Sequence, residues 1–222
     1  MSKKSTKTNV TRALTVIDMS TAGYVTTRAL ANLQRYVNCV STAWAGRDVE
    51  PVKLARSTLD TTGWRIYITD QSLDRSVKGC YGWHDVKRGV PVGYVDVETC
   101  TANGQDVLSV LAHELAEMMG DPMVNQRAVM PDGSIMYREL CDPVQGRLYK
   151  QGNTLVSNFV LPSYFDARGV APYDYLGVLK KPFEIDAQGG YAIINDKYVF
   201  ASQAFLKDRC TRRTQQLNKN NA

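Results

Sequence analysis

The sequence predicts an α+β fold: a mixed sheet with an amphipathic helix and a second, active-site helix, followed by a β-hairpin-rich C-terminal part. Three observations carry this. Apolar residues recur at helical spacing in two stretches, strand-like runs alternate around them, and the second half breaks into short β-prone segments separated by polar turns. A chain of 222 residues that is 44% hydrophobic can bury a sizeable core. With no internal repeat or low-complexity linker, one domain over residues 12–206 is expected, flanked by basic tails at 1–11 and 207–222.

Taken in order, the run "RALTVIDMS" (12–20) reads as a strand. In the next segment Val25, Ala29, Leu33, Tyr36, Val37, Val40 and Trp44 fall at three- and four-residue steps, the period of a helix with one buried face. "WRIYITD" (64–70) alternates as a strand does, and "CYGWHDV" and "GVPVGYVDVETC" are two more strands joined through "KRG". A helix from about 103 to 119 follows, with polar starters Thr101, Asn103 and Asp106 and a stop at Gly120 and Pro122. Downstream, a Pro-Asp-Gly turn marks one hairpin, "GRLYKQGNTLVSNFV" folds around "QGN", and "GGYAIINDKYVFA" forms the last.

Charge and cysteine usage narrow the function classes. The net charge is +5, yet the two tails hold more than that: Lys3, Lys4, Lys7 and Arg12 at one end, and five basic residues against Asp208 at the other. The body between them is slightly acidic. The tails could hold nucleic acid or an acidic protein surface, although no recognition motif accompanies them and solubilising tails are the simpler reading. The five cysteines include no C-x-x-C pair, so neither a disulfide framework nor a cysteine zinc knuckle is suggested, and a reducing compartment such as a cytoplasm fits. No run of about 18 apolar residues and no signal-peptide pattern occurs; no membrane partner and no signal-directed secretion are expected.

The chemistry concentrates in "VLSVLAHELAEMMGDP" (107–122), which holds one of the chain's two histidines. Apolar residues cover nearly the whole circumference of this helix, as in a buried one, except for His113, Glu114, Glu117 and Ser109. The i, i+3 and i+4 spacing gathers the three ionisable groups on one side. Burying them without partners would cost several kcal/mol, so the cluster must face a cleft, a counter-charge or a metal. His113 and Glu117, one turn apart, supply a nitrogen and an oxygen ligand for a divalent metal, zinc first, and Glu114 stands where it can take a proton from water as general base. "YRELCDPV" (137–144) offers a third ligand: Glu139 or Asp142, between which the sequence does not choose, in preference to Cys141. Asp121 beside Pro122 suits a capping role better than ligation. His84 could be a ligand or a substrate contact, although a lone histidine on a strand more often has a packing role. In the plainer alternative Glu117 pairs with a cation such as Arg138 and Glu114 is solvated.

The order strand, helix, three strands, helix, with the last strand leading into H-E-x-x, resembles the N-terminal half of the zincin metallopeptidases. Gly120, seven residues after His113, falls where the metzincin branch has its glycine. The resemblance implies a peptide or protein substrate, paired through its main chain to the edge strand before the active helix, here "VGYVDVETC". The blocks "HELAEMMGDP", "ELCDPV", "VSNFVLPSYF", "YDYLG" and "GGYAII" also resemble a family of proteins encoded by tailed bacteriophages and prophages, which implies a site of action in the host cytoplasm or the virion. The chain departs from the zincin pattern in having Glu at 117 where a second histidine would stand, and none downstream of His113. An oxygen-rich ligand set acidifies bound water less and suits harder metals as well. A metal-dependent hydrolase is the leading expectation; a virion or assembly component using the same scaffold without catalysis is the alternative.

Overall fold

The computed structural model describes residues 11–45, 47, 49–57, 59, 62–73 and 79–202, so both basic tails, apart from Thr11 and Arg12, lie outside the described residues. The α+β expectation with a mixed sheet holds. Five strands, β1 (Arg12–Asp18), β2 (Val52–Ser57), β3 (Trp64–Thr69), β4 (Gly82–Lys87) and β5 (Val90–Asp96), form one sheet in the order β2-β1-β3-β5-β4. β1 runs parallel to β2 and β3, and β3 parallel to β5; β4 alone is antiparallel, paired to β5. The β4–β5 loop is Arg88-Gly89, both at positive φ (53° and 77°), the backbone of a tight two-residue hairpin.

Three helices pack with this sheet. Helix α1 (Thr27–Ala43) is capped by the Thr26 hydroxyl, which accepts from the Ala29 N–H at 3.1 Å, and it buries Ala29, Leu33, Tyr36, Val37 and Val40. The short α2 (Val97–Ala102) starts on the Asp96 carboxylate, which accepts from the Thr99 N–H. Helix α3 (Val107–Gly120) starts on Asp106, which accepts from the Ser109 N–H at 2.8 Å. Nearly every α3 residue is buried, because the sheet covers one side and the C-terminal hairpins the other.

Those hairpins are β6 (Arg127–Val129) with β7 (Ile135–Tyr137), β8 (Leu148–Gln151) with β9 (Thr154–Ser157), and β10 (Tyr191–Ile194) with β11 (Lys197–Phe200). β10 also pairs with β7, which joins the outer two hairpins into a four-stranded sheet, order β11-β10-β7-β6. One hydrophobic cluster runs from Leu14 through α3 to Ala192, so both halves share a core. The buried Asp174 pins the connecting loop: it accepts from Asn158 Nδ2 and from the N–H groups of Leu176, Val178 and Leu179.

Three features differ from the sequence expectation. β2 was not anticipated: its "VKLARS" alternates a few apolar residues with Lys53 and Arg56, as suits a sheet-edge strand. Val97–Cys100, expected to continue a strand, is helical because Asp96 caps a turn there. The edge strand beside α3 is β4, not β5, which lies inside the sheet.

Close approach of α3 to the sheet depends on Gly93 in β5. A Cβ there would stand 2.8 Å from both Ile66 Cδ1 and Met118 Sδ. Gly93→Val should therefore lower unfolding stability by about 1–3 kcal/mol through overpacking, read from the urea midpoint at unchanged m-value.

Candidate functional site

The helical spacing works as anticipated: His113 and Glu117 lie one turn apart on α3, and the His113 Nε2 atom stands 3.1 Å from Glu117 Oε1. Asp142 reaches the same nitrogen from the other side of the core, its Oδ1 also at 3.1 Å. Asp142 opens a 3₁₀ turn over Asp142–Val144 whose first positions include Pro143, and this turn carries the wholly buried carboxylate beneath α3. The ligand atoms of His113, Glu117 and Asp142 all lie within 4.8 Å of one another.

A second group adjoins the first. Alternation along β4 turns Gly82 and His84 toward α3, while Trp83 turns to the opposite face and stacks on Tyr94 at 4.8 Å. His84 is paired in register with Gly93, so no cross-strand side chain crowds its ring on that face. His84 Nδ1 stands 3.5 Å from Glu114 Oε2 and 3.6 Å from Glu117 Oε2. His84, Glu114 and Glu117 form another set within the same 4.8 Å limit, and Glu117 belongs to both. Glu114 fits only because residue 82 has no side chain: a Cβ on Gly82 would meet Glu114 Oε1 at 2.8 Å.

All five of these residues are buried, Glu114 at 4% exposure and Glu117 at 2%. Glu114 is therefore not solvated, which removes half of the plainer alternative. Arg138 lies over the Trp44 ring, 5.0 Å from its centroid. Burial works against charge on His113, but the Glu117 carboxylate and the hydrogen bond to Asp142 hold its imidazole well above its ordinary range. Burial likewise opposes charge on Glu117, yet His113 beside it draws the carboxyl well below its usual value. A proton on His113 thus partly balances the surrounding carboxylates.

The donor set suits a divalent cation. A zinc ion holds nitrogen and oxygen ligands at about 2.0–2.2 Å, so donors around a tetrahedral ion stand roughly 3.4 Å apart. The distances of 3.1 to 3.6 Å in both groups bracket that spacing. Two buried oxygens, Glu117 Oε1 and Glu114 Oε2, make no hydrogen bond, although each lies beside an imidazole nitrogen. Buried carboxylate oxygens left without a hydrogen bond beside imidazole nitrogens are donors that a cation can use.

The remaining sequence candidates separate clearly. Of the pair left open, Asp142 joins the His113 group and Glu139, also buried, is in neither group. Cys141 is in neither either; burial pushes its thiol up to about 12, and it contacts the Tyr36 hydroxyl at 3.7 Å. Cys80 is disulfide-bonded, a departure from the expectation of reduced cysteines, and the free cysteines among the described residues are Cys39, Cys100 and Cys141. Asp121 caps the turn after α3, accepting from the Asn125 and Gln126 N–H groups at 2.8 and 3.1 Å.

Tyr191 was not anticipated. It hydrogen-bonds Asp142, and burial, reinforced by the Asp142 and Glu117 charges, raises its phenol well above the ordinary range, so it remains a donor. Nothing in "GGYAII" announces this, because β10 must first be laid against the Asp142 turn. A cleft opens onto the group, lined by Tyr81, Gly82, Ser109, His113, Glu114 and Tyr191 among others.

No family model matches the chain, and neither a curated protein nor a solved structure matches it.

Because Asp121 serves the turn, Asp121→Ala should cost about 1–3 kcal/mol of stability by orphaning two N–H groups. Urea unfolding of the variant and its parent measures this cost.

Proposed function

We propose that this chain is a metal-dependent hydrolase of zincin-like architecture that acts on peptides or related amides. The observation that carries the reading is the convergence of His113 Nε2, Glu117 Oε1 and Asp142 Oδ1 behind a cleft that His113 and Glu114 line. Three buried carboxylates around two imidazoles need positive charge, and a divalent cation supplies it with the geometry these donors present. Zinc is the first expectation from the imidazole, and the oxygen-rich remainder also suits manganese or cobalt.

When bound, such a cation polarises a carbonyl oxygen and acidifies a water molecule. The chain's own residues do the rest. His113, Glu117 and Asp142 fix the cation beneath the cleft. Glu114, the next residue after the first ligand and itself lining the cleft, takes the proton of the attacking water and can return it to the leaving amine. Tyr191 donates to Asp142 and so holds that carboxylate in orientation. The unpaired side of the edge strand β4 lies beside the cleft and offers N–H and C=O groups to an extended substrate. Sheet order, the antiparallel edge strand and the buried H-E-x-x helix support the zincin-like reading.

Purified full-length protein should bind zinc in the cleft, and Asp142→Ala should weaken that ion by at least tenfold in a calorimetric titration. Glu114→Gln should retain the ion held by His113 while lowering hydrolysis of a fluorogenic peptide library by about 100-fold or more. Absence of any zinc binding by the parent protein overturns the reading. Zinc binding without hydrolysis of any peptide would leave a scaffold role instead.

A further inference from the structure

The geometry points to a second divalent-cation position beside the first, held by His84, Glu114 and Glu117, with the Glu117 carboxylate bridging the two. This deepens the reading above and rests on it. Three observations carry the inference. The two oxygens of Glu117 are divided between two imidazoles: Oε1 is 3.1 Å from His113 and Oε2 is 3.6 Å from His84. Glu114 is 96% buried, and its Oε2 faces His84 at 3.5 Å with no hydrogen bond. The three donors lie within 4.8 Å of one another, and the two separations from His84, 3.5 and 3.6 Å, fit the edges of a tetrahedral site and exceed those of a charge-assisted hydrogen bond, about 2.7–2.9 Å.

Two-metal hydrolytic sites hold their ions roughly 3.5–4 Å apart, a span that one carboxylate bridges. The fold builds the second position as deliberately as the first. Gly82 leaves the space that Glu114 occupies, and Gly93, the cross-strand partner of His84, carries no side chain. Glu114 binds through Oε2, and its Oε1, on the Gly82 side, remains for proton transfer. His84 changes role accordingly, from a packing residue of β4 to a ligand.

The test is zinc stoichiometry of the full chain, by mass spectrometry of metals after equilibrium dialysis and by calorimetry. Parent protein should hold two zinc ions per chain. His84→Ala and, as a gentler variant, His84→Asn should each hold one, with unchanged circular dichroism. Asp142→Ala should also drop to one, and Glu117→Ala should lose both. In the manganese form, electron paramagnetic resonance should show a spin-coupled pair that His84→Asn converts to an isolated ion. One zinc per parent chain, kept in His84→Ala and lost in Asp142→Ala, overturns the second position while leaving the first intact. Two ions that both survive His84→Ala overturn the assignment to His84. No zinc in the parent overturns both readings together.

Discussion

The structure turns on one electrostatic constraint, the burial of Glu114, Glu117 and Asp142 around His113 and His84 beside a large apolar core. Desolvating three carboxylates is costly, and pairwise contacts among protein groups rarely repay it in full. Everything near the group is shaped to contain this cost. Helix α3 is apolar on all other faces, so the charged side is held in register by the packing of the rest. Asp142 arrives on a rigid 3₁₀ turn with Pro143, and Tyr191 donates a hydrogen bond to it. A proton on His113 covers part of the charge, and a cation would cover more while needing that proton to leave.

The same constraint explains the unusual use of glycine around the site. Gly82 and Gly93 are both on the sheet face that meets α3, and each lies where a Cβ would collide with a group on or beneath that helix. The sheet can therefore approach the carboxylates closely, and His84 can reach them from a strand rather than from the helix itself. Asn32, another buried polar residue, shows the alternative solution: it is satisfied by direct hydrogen bonds to Asn153 and Thr154, which tie α1 to the β8–β9 hairpin. Where the protein has a partner available it makes the bond. Glu114 Oε2 instead has His84 Nδ1 at 3.5 Å and makes no hydrogen bond.

How much of this could be read from the sequence depended on range. Helix α3 and the clustering of His113, Glu114 and Glu117 are local, set by a period of 3.6 residues, and were legible, although the helix expected from about 103 starts at Asp106, after α2 has ended at Ala102. So were the hairpins with Pro-Asp-Gly, Gln-Gly-Asn and Asn-Asp turns. β2 was not, because six residues with Lys53 and Arg56 look like a loop until β1 supplies the neighbouring strand. The strand-to-helix switch at Asp96 was hidden by alternation that continues through Val97 into a capped turn. The choice of Asp142 over Glu139 could not be made from spacing, since three residues separate them and only the direction of the turn decides which carboxylate faces His113. His84 and Tyr191 required sheet order and register, which link residues about 30 and 80 positions from α3.

The glutamate at 117 then has a physical reason that a histidine there would lack. An imidazole offers two nitrogens that point away from each other across the ring, so a ligand bound at one leaves the other facing elsewhere. A carboxylate offers two oxygens on the same side, close enough to serve adjacent positions at once. Glu117 does this in the structure: one oxygen turns to His113 and the other to His84. Replacing it by histidine would satisfy one group and strand the second, with Glu114 left buried against His84 and no common partner. Glu117 is the residue common to both sets of converging donors, and its two oxygens are what allow it to face both imidazoles.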